Sequence, residues 1–166
     1  MITQKELKEL VNYNAKTGVF TWAKGRPGAS KGSVCGGINK GNGYACVMIL
    51  GVAHAAHRLA FLYVNGFMPT GEIDHVNHIK TDNRIENLRS CSRKENSMNR
   101  SLFTSNKTGI TGVSFYENKS KWYSYIQVNK KSISLGWHST LFDAAAARIK
   151  SNLKYGFHIN HGKQPI

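Results

Sequence analysis

The stretch Asp74-His75-Val76-Asn77-His78-Ile79-Lys80-Thr81-Asp82-Asn83-Arg84-Ile85-Glu86-Asn87-Leu88-Arg89 decides how this chain is read. It opens on a carboxylate beside an imidazole, and Asn87 and Asn96 follow downstream. A carboxylate next to a histidine, with a carboxamide returning from a short helix, can hold one hard cation and one general base against a phosphodiester. Around that core, Glu72-Ile73-Asp74-His75 reads as a short strand, Asp82-Asn83-Arg84 as a turn, and Leu88-Arg89-Ser90-Cys91 as a second strand. Ser92-Arg93-Lys94-Glu95 fits a capping box, which starts a helix at Ser92. Asn96 then sits near the first turn, aimed back at Asp74 if the helix packs across the strands, with Asn99 on the same face.

Working outward, the charge is strongly positive, with 23 Lys and Arg against 9 Asp and Glu. Such an excess favours a polyanionic partner whose counterions are released on binding. Its distribution says more than its size. Residues 71–100 hold six basic and five acidic side chains, whereas residues 1–70 hold eight and two, and residues 101–166 hold nine and two. A nearly neutral centre is flanked by basic arms. Cys35, Cys46 and Cys91 form no C-x-x-C pair, so no structural zinc is expected, and unpaired thiols suit a reducing cytosol. No run of apolar residues approaches a membrane span, and the first residues lack a signal-peptide pattern.

The motif resembles the core of HNH nucleases, a strand, loop, strand and helix around one divalent metal. The resemblance implies that His75 takes a proton from the attacking water. It also implies that Asp74 and Asn96 hold the metal, magnesium with manganese able to substitute. Asn87 resembles the central Asn of that motif, which ties the loop between the strands and orients the histidine. The chain departs from the common pattern at His78, where glycine is frequent, and at Asn96, where the third letter is often histidine. His57-Arg58-Leu59 resembles the element that precedes the core in phage HNH proteins, so that His57 or Arg58 supports the site or a phosphate. For His57, packing or hydrogen bonding is the alternative. Arg84 is a further candidate phosphate contact.

On the amino-terminal side, Thr3 is placed to cap a helix carrying Leu7, Leu10 and Val11. Tyr13 to Trp22 then reads as a turn and a strand. Residues 24–42, rich in Gly, Ser, Lys and Arg, read as irregular backbone, and Tyr44 to Leu50 as another strand. His54 to Asn65 reads as a helix ended by Gly66.

On the carboxyl-terminal side, residues 108–116, 121–128 and 132–136 give three alternating runs. A helix capped at Thr140 follows, with Phe142, Ala145, Ala146, Ile149 and Leu153 on one face as its packing stripe. This segment resembles the AP2 DNA-binding domain, whose open sheet face lies in the major groove. Strand alternation directs Val113, Ile126 and Ile133 to the helix and Ser114, Tyr116, Tyr123, Tyr125, Gln127, Ser132 and Ser134 to DNA. The arginines that read guanine are absent from that face. Lys119, Lys121, Lys130 and Lys131 stand at its edges, which favours backbone positioning over base reading.

The expectation is therefore an α+β chain: a small mixed region at 1–53 contacting DNA, a ββα-metal HNH core at 54–101, a linker at 102–107, and an AP2-like sheet and helix at 108–166. The order of modules resembles that of phage HNH proteins, often of the homing type. The implied activity is metal-dependent, site-selective cleavage of double-stranded DNA in the host cytoplasm. A non-catalytic DNA-binding regulator on the same scaffold is the alternative.

Overall fold

The computed structural model describes residues 2–164. Two compact units divide the chain between Arg93 and Lys94.

The first unit begins with helix α1 (Gln4–Leu10), closed by a reciprocal capping box between Thr3 and Glu6. Strands β1 (Val11–Asn14) and β2 (Val19–Trp22) form a hairpin, so the segment read as a turn and a strand contains two strands. Three short strands follow as a second antiparallel sheet: β3 (Gly37–Ile38), β4 (Ala45–Ile49) and β5 (Val52–Ala55). Helix α2 (Ala56–Asn65) ends at Gly66, whose φ of 81° is the left-handed conformation that glycine adopts without steric cost. Strands β6 (Glu72–His75) and β7 (Leu88–Cys91) pair antiparallel, with Asp74 opposite Arg89 and His75 opposite Leu88. A single 3-10 turn, Ile85–Asn87, leads into β7.

One core joins these pieces. Leu7, Val11, Phe20, Trp22, Val47, Ile49, Leu59, Ile73 and Leu88 belong to the same buried cluster, which runs without a break across position 53/54. Burying large aliphatic and aromatic side chains is worth about 1.5–3 kcal/mol each. The amino-terminal hairpin therefore shares its stabilisation with the strands that carry Asp74 and His75.

Helix α3 (Arg93–Ser97) begins just after Ser92, as the capping pattern predicts, but runs for only five residues. In the second unit, β8 (Val113–Tyr116), β9 (Lys121–Val128) and β10 (Lys131–His138) form an antiparallel sheet in the order β10-β9-β8. Helix α4 (Leu141–Lys154) packs on it and is capped by the Thr140 hydroxyl, which accepts from the Asp143 amide. After α4 the chain returns to residues 98–102. The His158 amide donates to the Met98 carbonyl, and the Gly162 amide to that of Arg100. Among the described residues no helix is long and apolar enough to cross a membrane.

The structure corrects the face assigned to α4. Phe142, Ile149 and Leu153 are 80%, 58% and 75% exposed, while Ala144, Arg148 and Ser151 are buried. Close approach of helix to sheet needs small side chains, and Ala144 supplies one. The Arg148 guanidinium fills the remaining gap by donating to the Tyr125 carbonyl at 2.6 Å and the Asn152 side chain at 3.0 Å. A charged donor meeting two acceptors satisfies a buried position that a branched apolar residue would leave polar and unpaired. Arg148→Met should accordingly destabilise the chain by about 2 kcal/mol or more, whereas Ile149→Lys should stay within roughly 0.5 kcal/mol. Urea unfolding of the two variants checks both figures, and reversal of their order would restore the apolar stripe as the packing face.

Candidate active site

β6 ends at His75, and strand alternation sends its last two side chains to opposite faces. His75 shares the core side with Ile73; Asp74 faces the other way, and both are buried. Across the ladder, Arg89 donates from Nε at 3.0 Å and from Nη2 at 2.8 Å to Asp74 Oδ2. Two donors on one oxygen fix the carboxylate's orientation. That directs a buried anionic oxygen donor at the strand end, which a hard divalent cation favours.

The imidazole of His75 is held on several sides. Its Nε2 lies 3.2 Å from Asn83 Oδ1. The Asn83 amide nitrogen donates to the Thr81 carbonyl at 3.2 Å, which turns its oxygen toward the histidine. The His57 ring meets His75 edge to face at 5.1 Å, and Tyr44 lies 5.7 Å from His75 and 5.2 Å from His57. Lys80 reaches over Tyr44, its ammonium 4.9 Å from the ring centroid, and donates to the Asn42 carbonyl. Burial pushes the His75 pKa below the usual imidazole value, opposed by the hydrogen bond to Asn83 and by the charges of Asp74 and Asp82. His57 is pushed further, down to about 4, first by burial and then by His75 and Arg58. Both rings are thus neutral at pH 7, and His57 Nδ1 is buried without a partner.

Asn87 pins the loop between the strands. Its side-chain oxygen accepts from the Asn77 amide at 3.0 Å, its nitrogen donates to the Asp82 carbonyl at 2.8 Å, and its own carbonyl accepts from Val76. Asn83, in the same loop, is hydrogen-bonded to the His75 ring. His78 has a φ of 67°, the left-handed conformation that explains why glycine suits this position. Asp82 holds Arg84 through contacts at 2.7 and 2.9 Å, and Glu86 holds it from the other side. The expected phosphate contact Arg84 is therefore already paired with two carboxylates.

The amino-terminal hairpin reaches this loop. Tyr13 donates its hydroxyl to the Asn83 carbonyl at 2.6 Å, and the Ile85 amide donates to the Ala15 carbonyl. Gly18 has a φ of 74°, and a Cβ there would stand 2.6 Å from the backbone of Asn83 and Arg84. In the pattern Tyr13-x-x-x-Thr17-Gly18-x-Phe20-x-Trp22, two residues touch the loop, while Phe20 and Trp22 lie in the core.

Residues 54–98 match the HNH endonuclease family model. The match runs from the end of β5 through α2, β6, β7 and α3, so the chain carries an HNH endonuclease domain there. No curated protein and no solved structure matches the chain.

Asp74, His75 and Asn87 are all buried within the HNH domain. Asn96, the expected second metal donor, lies beyond the division at 93/94, in the second unit. Arg58 is half-buried on α2. Among the described residues no group of three or more His, Cys, Asp and Glu is arranged to hold a metal ion. Within the first unit the Asp74 carboxylate is a donor held in place by Arg89, and a hard divalent cation that keeps several waters can be held by few protein ligands.

In the second unit, Tyr123, Tyr125 and Gln127 alternate outward on β9, with Ser124 and Ile126 buried beneath. Ser114 and Tyr116 on β8 are exposed as well, opposite Tyr123 and Lys121. Lys119 lies in the β8–β9 connection, and Lys130 and Lys131 at the β9–β10 turn. Sequence reasoning missed Asn83, Arg89, Tyr44 and Trp137. Only Trp137 left a trace, as an aromatic residue just past a predicted strand.

Gly18→Ala should lower stability by about 2 kcal/mol or more, because it joins a positive φ to a backbone clash. Tyr13→Phe, which removes one hydrogen bond, should cost about 1 kcal/mol. Thermal unfolding distinguishes them, and equal losses would sink the close-approach argument. A third variant tests the loop's charge. Hydrogen bonds from Arg84, and more weakly from Asn77, hold the Asp82 carboxyl down to about 2, from an ordinary 3.8. The unfolded chain therefore takes up that proton more readily. The stabilisation is fully present above pH 3.8 and is lost as the pH falls toward 2. Asp82→Asn should cost about 1 kcal/mol at pH 7, solvent screening around Arg84 included. The gap from wild type should close through that acid window; a gap independent of pH would remove the ion pair as its cause.

Proposed function

We propose that the chain is a metal-dependent DNA endonuclease that hydrolyses a phosphodiester with His75 as general base and one divalent cation, magnesium by preference. The observation that carries this reading is the end of β6, where a neutral imidazole and an anchored carboxylate occupy adjacent positions. Each has its own fixing partner, Asn83 for His75 and Arg89 for Asp74. The HNH match supports DNA as the substrate.

Asp74 would hold the metal, and the bound cation would stabilise charge on the phosphate and the leaving oxygen. His75 takes the proton from the attacking water. Its burial keeps the ring uncharged beforehand, while Asn83 and Asp74 favour the imidazolium that forms. Asn87 touches no reacting atom; it is a positioning residue that keeps loop 76–82 in register with β6 and β7. His57 and Tyr44 wall the imidazole.

The basic arms extend this reading to a site-selective enzyme of the homing type. Residues 1–53 and an AP2-like second unit, the latter through Lys119, Lys121, Lys130 and Lys131, would add backbone contacts to that of Arg58 in the nuclease core. Selectivity would then come from the length of contact more than from dense base reading.

Cleavage of supercoiled plasmid in magnesium, manganese or chelator tests the core of the proposal. Wild type should nick or linearise the plasmid only with metal. His75→Ala should lose at least a hundredfold in rate while keeping DNA affinity within about threefold. Asp74→Ala should lose metal-stimulated cutting altogether. Near-normal cleavage by His75→Ala would remove it as the base, and salt-sensitive binding with no cutting by wild type would make the chain a DNA-binding regulator.

A further inference from the structure

Alternation along β10 from Ser134 would turn Trp137 inward, beneath the sheet. The strand contains a bulge instead: Ser134 pairs with Tyr125, and Gly136 pairs with Ser124, the next residue back on β9. Leu135 is the additional residue, and its insertion reverses the facing of the residues after it. Trp137 therefore stands opposite Tyr123 on the outer face, 40% exposed.

There it completes a group of four rings drawn from all three strands. Trp137 lies 4.7 Å from Tyr123 and 5.1 Å from Tyr116, and Tyr123 and Tyr125 stack at 6.2 Å with 20° between their planes. Tyr116 and Tyr125 remain 43% and 37% exposed. The rings occupy one end of the face, and Gln127 and Ser132, paired with each other, occupy the opposite end. Cations border the cluster: the Lys119 ammonium sits 4.1 Å from the Trp137 centroid, and Lys121 is paired with Tyr116.

A duplex offers such a surface little. Its bases are stacked on one another and present only their edges in the grooves, which are read by hydrogen-bonding side chains. Ring faces need base faces, and those are available only where nucleotides are unpaired. Aromatic side chains beside lysines are the combination that binds single strands, bases on the rings and phosphates on the ammonium groups. The Lys119 ammonium sits over the Trp137 ring, where a flexible lysine can move to meet the phosphate of a nucleotide stacked on these rings.

We propose that the outer face of the β8-β9-β10 sheet is a binding site for unpaired nucleotides of DNA, stacked on Tyr116, Tyr123, Tyr125 and Trp137. It rests on the reading of DNA as the partner. Hydrolysis by the HNH domain is not required for it.

Anisotropy of a labelled twelve-nucleotide oligothymidine and of a twelve-base-pair duplex, on the full chain in chelator, tests the proposal. Trp137→Leu should weaken oligothymidine binding roughly tenfold, with duplex affinity within about twofold of wild type. Trp137→Phe, which keeps a ring, should bind the oligonucleotide within about threefold of wild type, and Tyr125→Leu should reproduce the loss at a second position. Unchanged oligonucleotide affinity in both leucine variants overturns the proposal. So does an equal loss on duplex, which makes the face a duplex-docking surface, or tighter binding of oligouridine, which assigns it to RNA. Because metal is withheld, failure here leaves the nuclease reading standing, and failure of plasmid cleavage leaves this result intact.

Discussion

The placement of the Asn83 side chain against His75 is the constraint on which the first unit turns. An imidazole at the end of a strand keeps one ring orientation only if something outside the strand holds it, and Asn83 comes from a loop, the least constrained kind of backbone. The chain compensates with neighbours. Tyr13 bonds to the carbonyl of Asn83, Gly18 presses against its backbone, Thr81 accepts from its amide, and Asn87 secures the preceding residue. Each contact is modest alone. Together they join the hairpin at residues 11–22 to the imidazole through a single side chain, and they give the shared hydrophobic core a consequence for chemistry.

Electrostatics in this cluster follows the same economy. Arg89 balances Asp74, and Arg84 is shared by Asp82 and Glu86, so the carboxylates nearest His75 are met by guanidinium groups. Most of the positive excess lies in the flanking residues. A nearly balanced centre lets burial set the state of the histidines. Net charge enters as an attraction for a polyanion, and it falls off in salt as contacts within the cluster do not.

Elements with a strong local signal were legible in the sequence. Thr3, Gly66 and Thr140 mark helix ends by their own chemistry, and β6 and β7 fall where alternation puts them. The features that were not legible depend on contacts distant in sequence. Nothing in Asp82-Asn83-Arg84 announces that Asn83 will meet a histidine, because that role is created by Tyr13 and Gly18 from another hairpin. The packing face of α4 was misread for a related reason. Periodicity finds an apolar stripe, but Phe142, Ile149 and Leu153 are too bulky for the narrow gap, and three smaller or hydrogen-bonding residues fill it.

Trp137 shows how one backbone irregularity redistributes function. Without the bulge at Leu135 the tryptophan would lie under the sheet and Gly136 on the outer face, leaving three tyrosines without the ring that packs on both Tyr116 and Tyr123. Adding one residue to one strand costs a ladder hydrogen bond and turns a buried aromatic into a surface one. A bulge that exposes a large ring works against burial, the dominant favourable contribution to folding. It is therefore a feature to be explained by what the ring meets outside the fold. The neighbouring tyrosines and Lys119 narrow that to a flat, anionic ligand.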